Sequence, residues 1–198
     1  IIDEYHFTAP LGQTGKYNVL SVKYEQEEKF AGGAIAVANH IAGFVGHTSL
    51  LTGLGSVDSH EQFIREKLHR NVEAEFHYFS ESPTLTKRRY VDGEFNKLFE
   101  VYFYDDSPVD APFETAVCNW LDAHASEFDL VIVPDFGNGL ITDRMIETLT
   151  SKARFLAVNT QVNSGNRGYH VITRYSKADV VSLNEIELEL LGNINGKS

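Results

Sequence analysis

From residue 110 onward the sequence alternates two hydrophobic periods, and no other feature constrains the fold as tightly. Asp110 and Pro112 open a helical segment with Phe113, Val117, Trp120, Leu121 and His124 on one face. An apolar run Leu130 to Val133 follows, then a helical segment Asp143 to Lys152, a run Phe155 to Val158, and a loop with a candidate short helix. The run Val180 to Leu183 and a helical segment Glu185 to Leu191 complete the series. Strands joined through helices run in the same direction, so this rhythm specifies a parallel sheet covered by helices on both faces.

Residues 30 to 55 carry the same rhythm with a glycine pivot. Gly32 and Gly33 precede an Ala-rich segment, Ala34 to Ala42, interrupted only by Asn39 and His40. With no polar stripe, this helix is expected to be enclosed on most sides. Thr48 to Leu54 then reads as a buried strand closed by Gly55. The glycine pair either lets a ligand approach the main chain or lets the helix pack closely, and the sequence leaves both open. Its spacing matches neither G-x-G-x-x-G nor the P-loop pattern, which disfavours a dinucleotide enzyme or a P-loop ATPase.

Elsewhere the chain is richer in strands. Ile1-Ile2-Asp3 reads as the end of a core strand, with Asp3 at its carboxyl end. Residues 8 to 29 are polar and unlike a helix, with a candidate strand at Asn18 to Val22. Ser59 to Gln62 fits a capping box for a helix through Arg70, with Phe63, Ile64 and Leu68 inward. Val72, Ala74, Phe76 and Tyr78 alternate with Glu73, Glu75 and His77 as a half-buried strand. Thr84 to Val91 and Phe95 to Tyr104 form two further β runs around Asp92-Gly93, making three antiparallel candidates in succession.

A net charge of −11 argues against nucleic-acid and anionic-membrane surfaces, since both require clustered Lys and Arg. One cysteine, Cys118, allows no internal disulfide and is expected in the core. No apolar run reaches the ~20 residues of a spanning helix, and a cytoplasmic protein is the default expectation. The eight histidines show no ligand spacing for a metal.

In a parallel sheet the loops after the strands gather at one edge, where ligands sit. Here they are polar: Asp135-Phe136-Gly137-Asn138-Gly139, then Asn159-Thr160-Gln161-Val162-Asn163-Ser164-Gly165-Asn166-Arg167-Gly168, then Asn184-Glu185-Ile186-Glu187. Asn184 and Glu187 lie three apart and reach the same side of a helix start, either as a cap or beside a hydrated Mg2+ and a phosphate. Lys87 and Arg89 share one strand face, either as surface charges or as readers of a substrate phosphate.

These segments resemble the ribokinase-type (PfkB-like) carbohydrate kinases, most closely the D-glycero-D-manno-heptose 7-phosphate kinase branch. The resemblance covers nearly the whole chain. It rests on Asp3 after an N-terminal strand, Gly32-Gly33 with its Ala-rich helix, Leu51-Thr52-Gly53-Leu54-Gly55, Pro83-Thr84-Leu85-Thr86-Lys87-Arg88-Arg89, Asp135 to Leu140, and Ser182 to Glu187, which matches N-x-x-E. The chain departs from the heptose kinases at Ala36, where an Asn is usual, and at Asn159-Thr160-Gln161, which replaces Asp-Pro-Lys.

The resemblance implies a three-layer αβα Rossmann-like domain over residues 1 to 198, with a small antiparallel β lid from strands within about 5–30 and 72–104. It implies ATP-dependent phosphorylation of a sugar or sugar phosphate, with ATP and Mg2+ as cofactors. Asp3, Gly32, Gly33, Asn39, Lys87, Arg89 and Asp135 would bind the sugar. Asn159, Gln161, Asn184 and Glu187 would serve ATP and its phosphates, Asn184 and Glu187 through the metal. A homodimer through the lid is implied as well. The family's closing G-A-G-D segment, with its general base and anion hole, has no counterpart before Ser198, so this polypeptide is expected to lack kinase activity by itself. A non-catalytic sugar-binding or regulatory domain of the same fold stays open as the alternative.

Overall fold

Ile2 starts a strand rather than finishing one. Alternation of Ile2, Glu4, His6 and Thr8 with Asp3, Tyr5 and Phe7 suits a two-sided ribbon, and in the computed structural model it forms β1 (Ile2–Gln13). Asp3 is therefore the second residue of its strand, not the last. The structure describes residues 1–13, 19–162 and 171–195, in two compact units, Ile1–Asp105 and Asp106–Ser198.

In the first unit β1 is followed by β2 (Leu20–Ala31), α1 (Ala34–Ala42), β3 (Thr48–Val57), α2 (Glu61–Lys67), β4 (Val72–Pro83), β5 (Thr86–Val91) and β6 (Lys97–Phe103). The polar stretch after Thr8 thus belongs largely to two long strands; Asn18, the first residue of the expected strand, lies outside the described residues. A four-stranded sheet has the order β2-β1-β5-β6, with β1 antiparallel to β2 but parallel to β5, and β5 antiparallel to β6. β3 and β4 form a separate parallel pair. The three-strand antiparallel succession is corrected accordingly: α2 carries the chain across between β3 and β4, and a helical crossover makes their pairing parallel.

One core joins β1, α1, β3, α2 and β4. Ile2, Ile35, Ala38, Leu50, Leu54, Ile64 and Phe76 are buried together, with Phe63, Leu68, Val72 and Ala74 packed against them. Full burial of an aliphatic side chain such as Ile35 or Ile64 contributes about 1.5–3 kcal/mol. α1 has the expected ends but not the expected enclosure, since Ala36 and His40 are exposed. α2 stops at Lys67, three residues short. The Ser59 capping box is replaced by a bond from Glu61 N to Ser59 Oγ at 3.3 Å, with His60 left-handed before the helix.

The Asp92-Gly93 turn does join two antiparallel strands, by a different device. Asp92 Oδ1 accepts from Glu94 N and Asn96 N, both at 2.9 Å, and the left-handed residue is Phe95 (φ 65°), not Gly93.

The second unit keeps the expected rhythm. α3 (Ala111–His124) is capped by Asp110, which accepts from Phe113 N at 2.7 Å, and Cys118 is buried on its inner face. Then come β7 (Val131–Asp135), α4 (Asp143–Lys152), β8 (Leu156–Thr160), a 3₁₀ turn at Ile172–Arg174, β9 (Val180–Ser182) and α5 (Glu185–Asn195). The strands lie parallel in the order β7-β8-β9. Among the described residues, no helix is long and apolar enough to cross a membrane.

Gly55 marks the tightest backbone approach. A Cβ there would overlap the main chain of Ser82, Pro83 and Thr84, whereas a Cβ on Gly93 meets nothing within 4 Å. Gly55→Ala is expected to cost about 1–3 kcal/mol of unfolding free energy by overpacking, and Gly93→Ala very little. Equal urea midpoints for the two variants would contradict this.

Candidate functional site

Parallel pairing of β1 with β5 places Asp3 opposite Lys87 and Tyr5 opposite Arg89; β5 and β6 then set Lys87 opposite Tyr102 and Arg89 opposite Glu100. Residues opposite one another share a face, so one face of the sheet gathers Asp3, Tyr5, Lys87, Arg89, Glu100 and Tyr102. Arg89 Nη1 donates to Asp3 Oδ1 at 2.5 Å, its Nε lies 3.5 Å from Glu100 Oε2, and its guanidinium stacks over the Tyr5 ring at 5.3 Å. Burial, the largest single influence, works against the Arg89 cation, but the hydrogen bond to Asp3 and the attraction of Asp3, Tyr5 and Glu100 together outweigh it and raise its pKa. Lys87 lies over the Tyr102 ring at 5.1 Å, and partial burial lowers its pKa against the pull of Asp3.

The glycine pair belongs to the same cluster. A Cβ on Gly32 would overlap the Asp3 carboxylate, and Gly33 (φ 59°) would bring one against Ile1 while opening α1. Close packing is thus the reason for Gly32, and the group packed against it is the carboxylate itself. Of the expected sugar ligands in this unit, Asp3, Gly32, Lys87 and Arg89 come together, with Gly33 adjacent. Asn39 does not join them through its amide, which is committed to scaffolding: Nδ2 donates to Lys67 O and Oδ1 accepts from His69 N, both at 2.8 Å, tying α1 to the end of α2.

In the second unit Asp135 likewise has scaffold partners. It is 2% exposed, and its carboxylate accepts from Gly137 N and from Tyr175 Oη, each at 3.0 Å, with Arg174 Nη1 3.6 Å away. Arg174 also donates to Ile141 O and Asp143 Oδ1 at 2.9 Å. Asp135 therefore anchors the chain returning toward β9, and burial beside it raises the pKa of the Tyr175 hydroxyl. Asn159 Nδ2 donates to Ser182 O at 2.7 Å, and Gln161 N to Asp135 O at 2.8 Å. Asn163 to Gly168 lie outside the described residues.

Asn184 and Glu187 form a reciprocal cap: Asn184 N donates to Glu187 Oε2 and Glu187 N to Asn184 Oδ1, both at 2.9 Å. Glu187 is buried while Glu185 and Glu189 are exposed, so the three acids are not one solvated stripe. The cap occupies one oxygen of Glu187. Its Oε1 makes no hydrogen bond among the described residues, which fits a carboxylate acting on Mg2+ through water.

Tyr5 escaped the sequence reading because its place depends on the β1–β5 pairing, and Glu100 and Tyr102 because theirs depends on the β5–β6 register. That register in turn depends on the length of the turn. Arg174 and Tyr175 escaped it too: forty residues separate Tyr175 from Asp135, with no period to link them.

The opposite face of the four-stranded sheet holds a second ionic cluster. Glu4 is buried between Lys29 Nζ at 2.9 Å and Arg88 Nε at 2.7 Å. Burial alone would raise its pKa, but the hydrogen bonds from these cations lower it to about 2, from an ordinary 4.5. A depressed carboxyl pKa means that stability is present above pH 4.5 and is lost as the pH falls toward 2.

The chain matches no protein-family model. Among curated proteins it is similar to the bifunctional protein HldE of Vibrio parahaemolyticus, at 30% identity over 195 residues, and of Pelobacter propionicus, at 22% over 194. These alignments take in 96% and 98% of this chain but 38% and 39% of the relatives. Among solved structures it resembles phosphofructokinase-2 of Escherichia coli (TM-score 0.67, 14% identity, 97% of this chain and 60% of that one) and ribokinase of Thermotoga maritima (0.64, 20%, 98% and 59%). The fold is therefore ribokinase-like, and the chain spans about two fifths of the curated relatives' length.

The Glu4 cluster predicts that the stability difference between the parent and Glu4→Gln narrows as the pH is lowered from about 4.5 to 2. Urea unfolding at several pH values checks this, and a constant difference would contradict it.

Proposed function

We infer that this chain, which belongs by fold and sequence relationship to the ribokinase-type (PfkB-like) carbohydrate kinases, serves ATP-dependent phosphorylation of a sugar or sugar phosphate. The supporting observation is the seating of the Asp3 carboxylate against Gly32, oriented by Arg89 and opposite Lys87. A fixed carboxylate accepts hydrogen bonds from vicinal sugar hydroxyls, and adjacent cations favour an acceptor that already carries a phosphate. The resemblance of its motifs to the heptose 7-phosphate kinases favours a heptose phosphate among such acceptors. Asn39 and Asp135, whose side chains brace the scaffold, are left out of this ligand set.

Asn159, Gln161, Asn184 and Glu187 lie at the carboxyl ends of β8 and β9, where nucleotide phosphates bind in parallel sheets. Asn184 and Glu187 would hold hydrated Mg2+, which neutralises charge on a transferring phosphoryl group. What the chain itself does is orient the sugar through Asp3 and hold the Glu187 carboxylate at a helix start. On the face opposite Asp3, β6 exposes Phe99, Val101 and Phe103 in alternation. This apolar stripe fits a second copy of the chain, and sedimentation of the parent purely as a monomer at micromolar concentration would count against the dimer.

The function is tested by sugar-dependent ADP release from the full-length protein over a panel of sugars and sugar phosphates. Asp3→Asn should lower kcat/KM for the sugar by about 1.5–3 kcal/mol, the scale of hydrogen bonds to a charged group, and change the KM for ATP little. Glu187→Gln should raise the Mg2+ needed for half-maximal rate, while Glu185→Gln and Glu189→Gln should not. No turnover of any panel member would overturn the kinase reading, and identical Mg2+ dependence of the three variants would remove Glu187 from the metal site.

A further inference from the structure

Arg89 is not a free cation. Its guanidinium is shared between Asp3 and Glu100, so an incoming anion has to compete with a carboxylate already in place. The two carboxylates are not equally exchangeable. Asp3 holds Nη1 at 2.5 Å and is packed against Gly32, whereas Glu100 approaches Nε at 3.5 Å, beyond the usual hydrogen-bond range. Glu100 is itself retained by other partners: Tyr102 Oη donates to Oε1 at 2.9 Å and Lys97 Nζ to Oε2 at 3.2 Å. It can therefore let go of Arg89 without being left unsatisfied.

We propose that Glu100 is a specificity-determining residue that occupies Arg89 as a built-in competitor for substrate phosphate, leaving Lys87 as the cation immediately available to it. This rests on the reading that the Asp3 face binds the sugar. Lys87 has no carboxylate within ion-pair distance among the described residues, lies over the Tyr102 ring, and stands opposite Asp3 in the sheet. A phosphate at Lys87 competes with Glu100 for the charge of Arg89. A neutral sugar meets no such competition, because Asp3 is oriented whether or not Glu100 is engaged. Glu100 thus sets how strongly the face discriminates between phosphorylated and plain sugars.

The test is calorimetric titration of the full-length protein with inorganic phosphate, with a hexose 6-phosphate and with the unphosphorylated hexose. Glu100→Gln keeps the side-chain size and the bond from Tyr102 but removes the charge. It should bind both phosphate probes roughly threefold more tightly, the scale of a partly exposed ion pair, with no gain for the plain hexose. The double variant Arg89→Gln/Glu100→Gln should lose that gain, and Lys87→Gln should bind phosphate more weakly than the parent. Glu100→Asp, which withdraws the carboxylate by one methylene, should shift affinity in the same direction if Glu100→Gln proves poorly folded by melting. Equal phosphate affinity of the parent and the Glu100 variants, with Lys87→Gln weakened, would overturn the role of Glu100 and leave the phosphate-reading face standing. An unchanged affinity in Lys87→Gln, or no phosphate binding by any variant, would overturn the face itself and this inference with it.

Discussion

Parallel pairing of β1 with β5 is the constraint on which the first unit depends. It joins segments more than eighty residues apart in sequence, so its loop-closure entropy has to be offset by what the pairing buries. Ile2 supplies part of that, since it is fully buried in the core shared by α1, α2, β3 and β4. The same pairing puts Asp3 within reach of Arg89 and Glu4 within reach of Arg88. Register then decides chemistry, because a one-residue slip would exchange the two faces and separate every one of these pairs.

The two faces use similar charges to different ends. Glu4 is almost fully buried between Lys29 and Arg88, where an unpaired carboxylate would be costly, so that cluster stabilises the sheet. On the other face Asp3, Arg89 and Glu100 keep about a fifth of their side-chain surface exposed. Solvent screens those pairs and makes them exchangeable. A ligand would replace a partner there at modest cost, which is the physical distinction between a structural ion network and the proposed binding surface.

The second unit shows how a polar loop residue can resemble a ligand and serve as an anchor. Asp135, at the end of β7, holds Gly137, Tyr175 and, through its main chain, Gln161. The residues that flank it in sequence give no sign of this. At Asn184 and Glu187 the cap is compatible with the proposed metal role, because capping requires only one carboxylate oxygen.

Local pattern was sufficient for much of this protein. The Ala34–Ala42 and Asp143–Lys152 helices have the ends expected of them, and the Asp110 cap and the β–α rhythm after it depend on contacts within a few residues. Grouping Lys87 with Arg89 needed only the period of two. What sequence could not decide were matters of partner and register. These include whether β4 pairs parallel with β3, which carboxylates surround Arg89, and that the Gly32 vacancy is filled by Asp3. They also include the commitment of Asn39 and Asp135 to distant backbone and side chains. Each depends on groups tens of residues apart, and no local periodicity encodes which of several chemically equivalent partners the folded chain brings within 3 or 4 Å.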